Sequence, residues 1–325
     1  MITQPADSVN SPAPLTLMTV HAHPDDEVVF TGGILALAPD QGVRTVLICC
    51  TGGEEGEIHD PDLDPEADHP RLGAIRAGEL RCAVEKLGID VLEMLGYPDS
   101  GMAGREPNAN PSCFHQVPLE ETTGRIVELI RRYQPQVLVT YNAWGAYGHP
   151  DHIKAHDSTM AAWDVAGDAA YRPDLGAPWT PLKLYYTSWN EEGFKQAREM
   201  YIERGLKWPF DRDEEEAAEA KATDETEAVS DEIAAEAEGT QAPDAPKEPE
   251  YQPPPVTTRI DVRAAAERRM AATRCHRTQF QPDGAFMNMP EDIALVVWGE
   301  EHYSLVRSRV EAPQPETDLF AGIRA

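Results

Sequence analysis

Short apolar segments alternate with longer segments of helical periodicity, and this alternation limits the possible folds more than any other feature of the chain. The strand-like segments are rich in β-branched or aromatic residues and lie at residues 15–21, 43–50, 89–95, 137–141 and 182–186. Between them, residues 71–87 and 118–133 place apolar side chains at helical spacing, for example Ile126, Leu129 and Ile130. Near-continuous apolar strands that alternate with helices are typical of a parallel sheet covered on both faces. The sequence therefore predicts an α/β fold.

The end of the chain predicts a small extension of the same domain. Two strands and two helices, the longer helix with a basic face, are predicted at residues 257–262, 303–310, 263–278 and 290–297. We expect residues 256–325 to pack back on a core formed by residues 14–210. The predicted fold is a Rossmann-like, mostly parallel sheet with helices on both faces, plus a small C-terminal α+β extension.

The excess of acidic residues argues against a protein that binds nucleic acid. The 325 residues hold 28 Lys and Arg against 57 Asp and Glu, a formal net charge of −29. Proteins that bind duplex DNA or RNA neutralise phosphates with clustered Lys and Arg, and a polybasic membrane anchor needs the same residues.

The acidic residues are concentrated in one segment. Residues 211–250 alone hold 16 acids and 3 bases, and their only aliphatic side chains larger than alanine are Val229 and Ile233. Such a stretch cannot bury enough apolar surface to offset its ordering entropy, so residues 211–255 are predicted to be a disordered acidic insert. Residues 1–13 are expected to be a flexible N-terminus.

The N-terminal sequence and the cysteines are typical of a cytoplasmic protein. No Lys or Arg precedes Arg44, so the basic start of a secretory signal or an Arg-rich transit peptide is missing. The longest uncharged apolar run near the start, residues 28–39, is shorter than the roughly 18 residues that a membrane span needs. We predict reduced, mostly buried thiols, rather than a disulfide framework or a zinc knuckle, for the scattered cysteines: Cys49, Cys50, Cys82, Cys113 and Cys275.

Two clusters of titratable side chains follow predicted strands. Residues 21–27 read His-Ala-His-Pro-Asp-Asp-Glu, whereas a plain N-cap turn would need only one of these acids. Residues 147–152, after the strand at 137–141, read Tyr-Gly-His-Pro-Asp-His. Because ligands of an open parallel sheet bind beyond the carboxyl ends of its strands, both clusters are expected at one edge of the sheet. Histidines and carboxylates gathered from two loops fit a catalytic zinc, which takes three protein ligands and leaves a position for water or substrate.

The two clusters together resemble the signature of the zinc-dependent N-deacetylases of the PIG-L family, over residues 14–205 and more loosely 256–325. Other motifs, at residues 53–57, 75–80 and 99–102, are similar to the mycothiol branch of that family. The resemblance implies hydrolysis of the amide of an N-acyl, above all N-acetyl, glucosamine-containing small molecule. The alternative within the branch is a mycothiol S-conjugate amidase, whose substrate would be a thiol conjugate with a larger acyl group. Residues 318–322 resemble the amidase more than the deacetylase.

The family pattern, transferred to this sequence, implies a metal centre and a general base. His23, Asp26 and His152 are the implied ligands of Zn²⁺. The same donors also accommodate Fe²⁺, Co²⁺ or Mn²⁺. Asp25 is then expected to take a proton from the attacking water while its neighbour Asp26 faces the metal.

Two further side chains are implied to act on the oxyanion of the reaction. His149, oriented by Asp151, is expected to be the electrophilic or acid partner, protonated and with its charge stabilised by Asp151. Tyr147 matches a family tyrosine that moves over the bound substrate, so a secondary contact with the oxyanion is expected for it. An aromatic wall of the pocket is an equally good interpretation of Tyr147.

Substrate contacts are implied for three side chains near the other motifs. Arg76 and Asp99 match positions that grip sugar hydroxyls, although Arg76 also fits an ion pair on a helix surface. Glu57 is a weaker candidate, because residues 52–57 also fit a turn with a solvated acid. Residues 28–30 are apolar where the mycothiol enzymes carry small polar residues or a lysine, so the substrate rim is expected to differ.

Other interpretations fit parts of the sequence. A non-catalytic metal-binding or scaffold protein would use the same ligands and recruit a partner through its acidic segment. A nucleotide-binding Rossmann domain is disfavoured because no GxGxxG follows the first strand. The histidines outside the two clusters, such as His276, lack motif support and are predicted to be structural or surface residues.

Overall fold

A computed structural model describes residues 14–208, 210, 251–282 and 284–324 of the chain. The predicted N-terminal segment 1–13 and residues 211–250 of the predicted acidic insert lie outside the described residues. Contacts divide the chain into two units, one up to residue 194 together with residues from 253 onwards, the other from 195 to 252. No helix among the described residues is long and apolar enough to cross a membrane.

A seven-stranded sheet forms the centre of the first unit. Its strands are β1 (Thr16–His21), β2 (Arg44–Thr51), β3 (Val91–Tyr97), β4 (Val137–Thr140), β5 (Lys183–Ser188), β6 (Thr258–Asp261) and β7 (Glu300–Ser308). Their spatial order is β3-β2-β1-β4-β5-β7-β6, and the neighbours from β3 to β5 are parallel. Strand β7 is antiparallel to both β5 and β6. The predicted mostly parallel sheet is confirmed.

Helices connect and cover the strands. They are α1 (Asp26–Phe30), α2 (Gly32–Leu37), α3 (Pro65–Asp68), α4 (Leu72–Leu87), α5 (Leu119–Tyr133), α6 (Gly145–Gly148), α7 (Pro150–Val165), α8 (Glu191–Glu203), α9 (Ala266–Thr273), α10 (Ala285–Asn288) and α11 (Glu291–Trp298). Single 3-10 turns lie at Pro39–Gln41, His69–Arg71, Glu106–Ala109, Pro173–Leu175 and Arg263–Ala265. Element α6 is one distorted turn, because Ala146 and Tyr147 leave helical backbone angles.

Alternating side chains of β1 divide the core into two layers. Leu17 packs in a cluster with α2, α4 and α9, whereas Met18 and Val20 pack in a second cluster with α5 and α7. The predicted apolar side chains of α5, such as Ile126 and Ile130, are buried in the second cluster. Burial of one such side chain contributes about 1.5–3 kcal/mol. Both faces of the sheet are therefore covered, as near-continuous apolar strands require.

The strand order reverses between β1 and β4. The chain passes from β1 to β2 and β3 on one side and returns to β4 on the other side of β1. In open α/β sheets, ligands bind outside the carboxyl ends of the strands at such a switch point. The turn that carries His23 follows β1, and the turn that carries His149 follows β4, so this crevice is the place for a site.

The helix predicted at residues 263–278 is shorter than expected. A 3-10 turn at Arg263–Ala265 precedes α9, which ends at Thr273. Just beyond α9, Cys275 forms a disulfide with Cys82 of α4, at a Cα–Cα distance of 5.7 Å. The prediction of reduced cysteines is wrong for this pair, which joins segments 193 residues apart in sequence. The other thiols are free and buried as predicted: Cys49, Cys50 and Cys113.

The predicted basic face of this helix is partly buried, because Arg269 of α9 holds α1 and α2. Its guanidinium donates to the carbonyl oxygens of Val28 at 2.8 Å and Val29 at 2.6 Å. It also pairs at 3.1 Å with Glu301, whose carboxylate accepts the backbone N–H of Gly33 at 2.7 Å at the beginning of α2. The C-terminal segment thus fixes the two helices that follow β1.

Replacement of Cys275 by Ser is expected to lower the free energy of unfolding by about 2–4 kcal/mol, because the disulfide restricts the unfolded chain. Denaturant titration without reductant measures the difference. Reductant should lower the stability of the wild type to that of the variant and leave the variant unchanged. Equal stability of the wild type with and without reductant would contradict the presence of a stabilising disulfide between Cys82 and Cys275.

Candidate metal centre and catalytic site

Three buried side chains converge between the turns that follow β1 and β4. Nδ1 of His23 lies 3.2 Å from Nε2 of His152. Asp26 approaches both rings, with Oδ2 3.5 Å from Nδ1 of His23 and Oδ1 3.4 Å from Nε2 of His152. Ligand atoms around one tetrahedral Zn²⁺ are about 3.3–3.4 Å apart when the bonds are about 2.0–2.1 Å long. The structure thus brings together the three side chains that the resemblance implies as ligands. Among the described residues, His23 and His152 also form a possible metal-binding group with His149, because one nitrogen atom of each lies within 4.8 Å of the others.

Asp26 and His23 have further contacts with partners that the sequence did not predict. Oδ2 of Asp26 accepts hydrogen bonds from the hydroxyl of Tyr141 and from the backbone N–H of His23, each at 2.7 Å. Nε2 of His23 lies 3.3 Å from Oδ2 of Asp151. That carboxylate accepts the N–H of Ser100 at 2.9 Å and also contacts its hydroxyl. Carboxylate partners of this kind orient metal-binding histidines and raise their basicity.

Asp151 contacts His149, as the resemblance implies, but through its backbone N–H, whereas its carboxylate contacts His23 and Ser100. His149 is the N-cap of α7, and its Nδ1 accepts the backbone N–H of Asp151 at 3.1 Å. The first N–H groups of a helix have no partner within the helix, and the imidazole supplies one.

This cap defines the protonation of His149. An Nδ1 atom that accepts a hydrogen bond carries no proton, so the ring is neutral and its proton lies on Nε2. Burial, with the neighbouring rings of His23 and His152, lowers the pKa of His149 to about 4. The hydrogen bond and the lowered pKa favour the electrophilic role of His149 over the acid role, which needs a protonated ring.

Asp25 has a strained backbone conformation and contacts of its own. Its φ of 110° lies in the left-handed region, and its N–H donates to Oε2 of Glu27 at 2.9 Å. Its carboxylate accepts a hydrogen bond from Nη2 of Arg76 at 3.2 Å and remains 21% exposed. Burial raises the pKa of Asp25 to about 6, against the lowering effect of Arg76. Asp25 and Asp26 therefore face different partners, as a base beside a metal ligand requires.

Arg76 is buried on α4 rather than part of a surface ion pair. Beyond Asp25, its guanidinium donates to the carbonyl oxygens of Gly53 at 2.7 Å and Pro24 at 2.6 Å. A Cβ atom on Gly53 would lie 2.3 Å from Nη1 of Arg76, which explains the glycine in that loop. The structure thus gives Arg76 a role in holding Asp25, whereas a direct contact with substrate stays a prediction.

The two predicted acidic substrate residues lie in different surroundings. Asp99 follows β3, with Oδ1 3.5 Å from Nε2 of His23, and it lines a pocket of about 490 Å³. Burial alone would raise the pKa of Asp99, but the charge of His23 and a hydrogen bond from it lower that pKa instead. Glu57 is 73% exposed and pairs with His59 at 3.3 Å. The structure brings Asp99 to the metal ligands and gives Glu57 the setting of a solvated acid.

Tyr147 faces the centre with its hydroxyl group. The hydroxyl oxygen lies 3.5 Å from Nε2 of His152, and the residue is 51% exposed. Its neighbours Gly145, Ala146 and Gly148 have φ values of 61°, 66° and 92°, so the backbone here is left-handed on both sides of Tyr147. This placement puts a polar group at the opening of the site. Tyr147 therefore offers more than the aromatic wall that was its other interpretation.

The apolar residues 28–30 pack inward for the most part. Val28 lies in the core cluster of the first layer. The ring of Phe30 meets those of His152 at 6.1 Å and Trp189 at 5.2 Å between centroids. Phe30 therefore packs against a metal ligand.

Sequence reasoning missed several residues that support the site. Ser100 and Glu27 lie inside recognised motifs, but the motifs do not indicate what each side chain contacts. Tyr141 directly follows β4, and its position at the carboxyl end of a parallel strand could have marked it as a residue of the site. His276 is completely buried, with Nε2 2.6 Å from Oε1 of Glu27, and no local pattern marks it.

Comparisons with known proteins agree with this geometry. The family model of PIG-L, described as GlcNAc-PI de-N-acetylase, matches residues 18–163. A protein of Geodermatophilus obscurus named 1D-myo-inositol 2-acetamido-2-deoxy-alpha-D-glucopyranoside deacetylase is 39% identical over 94% of this chain and 97% of its own length. A protein of Streptomyces avermitilis with the same name is 37% identical over the same shares. The chain belongs to the PIG-L family of metal-dependent N-deacetylases.

Solved structures share the fold at low sequence identity. The N,N'-diacetylchitobiose deacetylase of Pyrococcus horikoshii has a TM-score of 0.53 at 16% identity, over 90% of this chain and 84% of that one. GalB, a 4-carboxy-2-hydroxymuconate hydratase of Pseudomonas putida, has a TM-score of 0.55 at 18% identity, over 92% and 99%. Because one is a deacetylase and the other a hydratase, this likeness shows the fold and leaves the reaction to the site.

Replacement of Tyr141 by Phe is expected to weaken metal binding about 10- to 100-fold, because Asp26 loses the donor that orients it. Competition with a chromophoric chelator measures the affinity. Tyr97→Phe is the matched control, since its hydroxyl donates to Glu121 at 3.3 Å, outside the metal centre. Unchanged affinity in Tyr141→Phe would show that Asp26 is oriented without this hydroxyl.

Proposed function

We propose that this protein is a zinc-dependent N-deacetylase that hydrolyses the N-acetyl amide of a glucosaminyl-inositol to free amine and acetate. The observation that carries the proposal is the convergence of His23, Asp26 and His152 close in sequence and space to Asp25, whose carboxylate is held by Arg76. The names of the relatives that match nearly the whole chain support the substrate class.

Asp25 is the proposed general base. Zinc bound by the three ligands would lower the pKa of a water to about 7 and polarise the amide carbonyl. Asp25 accepts a proton from the attacking water as the new carbon–oxygen bond forms. Asp25 then returns that proton to the amide nitrogen as the carbon–nitrogen bond breaks. Arg76 holds the carboxylate in place throughout.

His149 and Tyr147 are the proposed donors to the oxyanion. The carbonyl oxygen gains negative charge when water adds, and fixed hydrogen-bond donors in a buried site stabilise that charge. His149 offers the proton on its Nε2, because its Nδ1 accepts from the N–H of Asp151. Tyr147 offers its hydroxyl beside His152. A neutral imidazole serves as a donor without giving up its proton.

Asp99 is proposed to accept hydrogen bonds from sugar hydroxyls. Its carboxylate combines a position close to His23 with a place in the wall of the pocket of about 490 Å³. Arg76 and Glu57 remain candidates for direct contacts with the same substrate, and Glu57 would make its contact from the surface.

The S-conjugate amidase remains the alternative reaction, but its motif carries no substrate information. Leu319 and Phe320 are buried in the core, and the carbonyl oxygen of Leu319 accepts from Nζ of Lys183 at 3.2 Å. The two reactions are separated by turnover of N-acetylglucosaminyl-inositol and of a bimane thiol conjugate, with the first expected to be faster.

We also propose a cytoplasmic location. Three free, buried thiols support it, whereas the disulfide of Cys82 and Cys275 is unusual for that compartment. Cell fractionation with an antibody to the protein tests it.

The proposed metal is expected to be zinc at about one ion per chain in protein purified without added metal. Elemental analysis by mass spectrometry measures the content. His152→Ala should lose the metal because it removes one of three ligands. His302→Ala, on β7, is the control and should keep it. Iron, cobalt or manganese in place of zinc would overturn the choice of metal, and full metal content in His152→Ala would overturn the ligand set.

Asp25→Asn is expected to lower kcat about 100- to 10,000-fold while the zinc content stays unchanged, because only the proton acceptor is lost. Asparagine suits this test, since it tolerates positive φ better than most residues. Release of free amine from N-acetylglucosaminyl-inositol measures turnover, and Asp174→Asn, an exposed acid-to-amide change, is the control.

Two outcomes would contradict this assignment. Wild-type kcat in Asp25→Asn would reject Asp25 as the base. A wild type loaded with zinc that releases no amine from any N-acetylglucosamine conjugate would reject the substrate class and favour a non-catalytic metal-binding protein.

A further inference from the structure

A buried histidine from the C-terminal segment contacts the turn that carries the proposed base. Nε2 of His276 lies 2.6 Å from Oε1 of Glu27, and both side chains are completely buried. The other carboxylate oxygen of Glu27 accepts the backbone N–H of Asp25 at 2.9 Å. Nδ1 of His276 has no hydrogen-bond partner among the described residues, so the bond to Glu27 is the polar contact that orients its ring.

One face of α4 holds this histidine in place. Cys82 and Glu79 are three residues apart, as are Glu79 and Arg76, so all three project from the same side of the helix. Cys82 binds Cys275 directly before His276. Glu79 accepts hydrogen bonds from the N–H and the hydroxyl of Thr278, at 2.8 and 2.6 Å, two residues after His276.

The same face of α4 reaches the base directly. Arg76 donates to the carboxylate of Asp25 at 3.2 Å, one helical turn before Glu79. Asp25 is therefore held by contacts at two positions. Its carboxylate is held by Arg76, and its backbone N–H is held by Glu27, which is held in turn by His276.

We propose that His276 is a positioning residue for the reaction proposed above. His276 acts through Glu27, which fixes the backbone of Asp25 and thereby the position of the Asp25 carboxylate. The left-handed conformation of Asp25 supplies the reason for this support. A non-glycine residue with a φ of 110° persists only where surrounding contacts hold it. A buried Glu27 without a donor would turn away or take up water, and the N–H of Asp25 would then lose its acceptor.

His276→Leu, Asn and Gln are the variants that test this chain of contacts. Leucine removes the donor, asparagine keeps an amide that is too short to reach Glu27, and glutamine places an amide nitrogen near the position of Nε2. His302→Leu is the matched control, because His302 is also buried and bonds to Glu300 through Nε2 at 2.6 Å, but it lies on β7 away from Asp25.

The expected result is a fall in kcat of about 100-fold in His276→Leu and His276→Asn, because small displacements of a catalytic group have effects of this size. KM and zinc content should stay unchanged, and His276→Gln should recover most of the loss. In the Asp25→Asn background, His276→Leu should cause no further loss, since both changes act on one group. His302→Leu should leave the kcat of the folded protein unchanged.

Hydrogen exchange of the Asp25 amide, followed by NMR, gives a readout independent of turnover. Protection of this amide should fall in His276→Leu and His276→Asn but not in His276→Gln or His302→Leu. Retained protection in the first two variants overturns the proposal even if the wild type hydrolyses no tested substrate and the proposed function fails.

Turnover provides the other ways to overturn the proposal. Equal kcat values in His276→Asn and His276→Gln would do so, as would a further 100-fold loss in the Asp25→Asn background. If His276→Leu does not fold, the comparison of asparagine with glutamine decides the outcome.

Discussion

The site depends on the parallel pairing of β1 with β4. Leu17 lies opposite Val137, and Thr19 lies opposite Val139, so the two strands end together at the centre of the sheet. The turn after β1 supplies His23 and Asp26, and α7, which begins at Pro150 shortly after β4, supplies His152. A shift of this register by one residue would turn alternate side chains to the other face and separate the ligands. The metal centre is thus a consequence of sheet topology.

Burial of so many ionisable groups requires that each has a partner. An unpaired buried carboxylate would become protonated or distort the structure, because its desolvation costs several kcal/mol or more. Asp26 has the hydroxyl of Tyr141, Asp151 has Ser100, and Glu27 has His276. These partners hold Asp26 and, through Asp151, His23 in place beside His152. The supporting hydrogen bonds therefore fix the positions of the candidate ligands.

The local motifs predicted the candidate metal ligands better than they predicted the hydrogen-bond partners of those ligands. His23, Asp26 and His152 follow from short motifs placed after strands, because parallel strands bring such motifs to one edge. Asp151 was paired with His149, but the contact through its backbone N–H was not foreseen because the beginning of α7 at Pro150 was not recognised. Once that helix is known, His149 is an N-cap, and its Nδ1 is committed to a backbone N–H.

Contacts between distant segments could not be predicted, since no local pattern records them. The disulfide of Cys82 and Cys275 spans 193 residues, and His276 and Glu27 are 249 apart. Periodicity and composition are properties of short windows, and a cysteine or histidine in one window does not identify its partner in another. The predicted helix at residues 263–278 ended early for the same reason, because its end bends to make these contacts.

The support of Asp25 also extends beyond the region that defines the family. The family model matches residues 18–163, which contain the metal ligands and Asp25, whereas His276 and Thr278 lie more than a hundred residues later. Helix α4 belongs to the matched region and binds the later segment through Cys82 and Glu79. The similarity to the deacetylases of Geodermatophilus obscurus and Streptomyces avermitilis covers 94% of this chain. A fragment limited to residues 18–163 would retain the proposed metal ligands and Asp25 but lose His276, the donor to Glu27. If Asp25 is the base, as proposed, the C-terminal extension belongs to the catalytic unit, because the support of Asp25 comes from both regions.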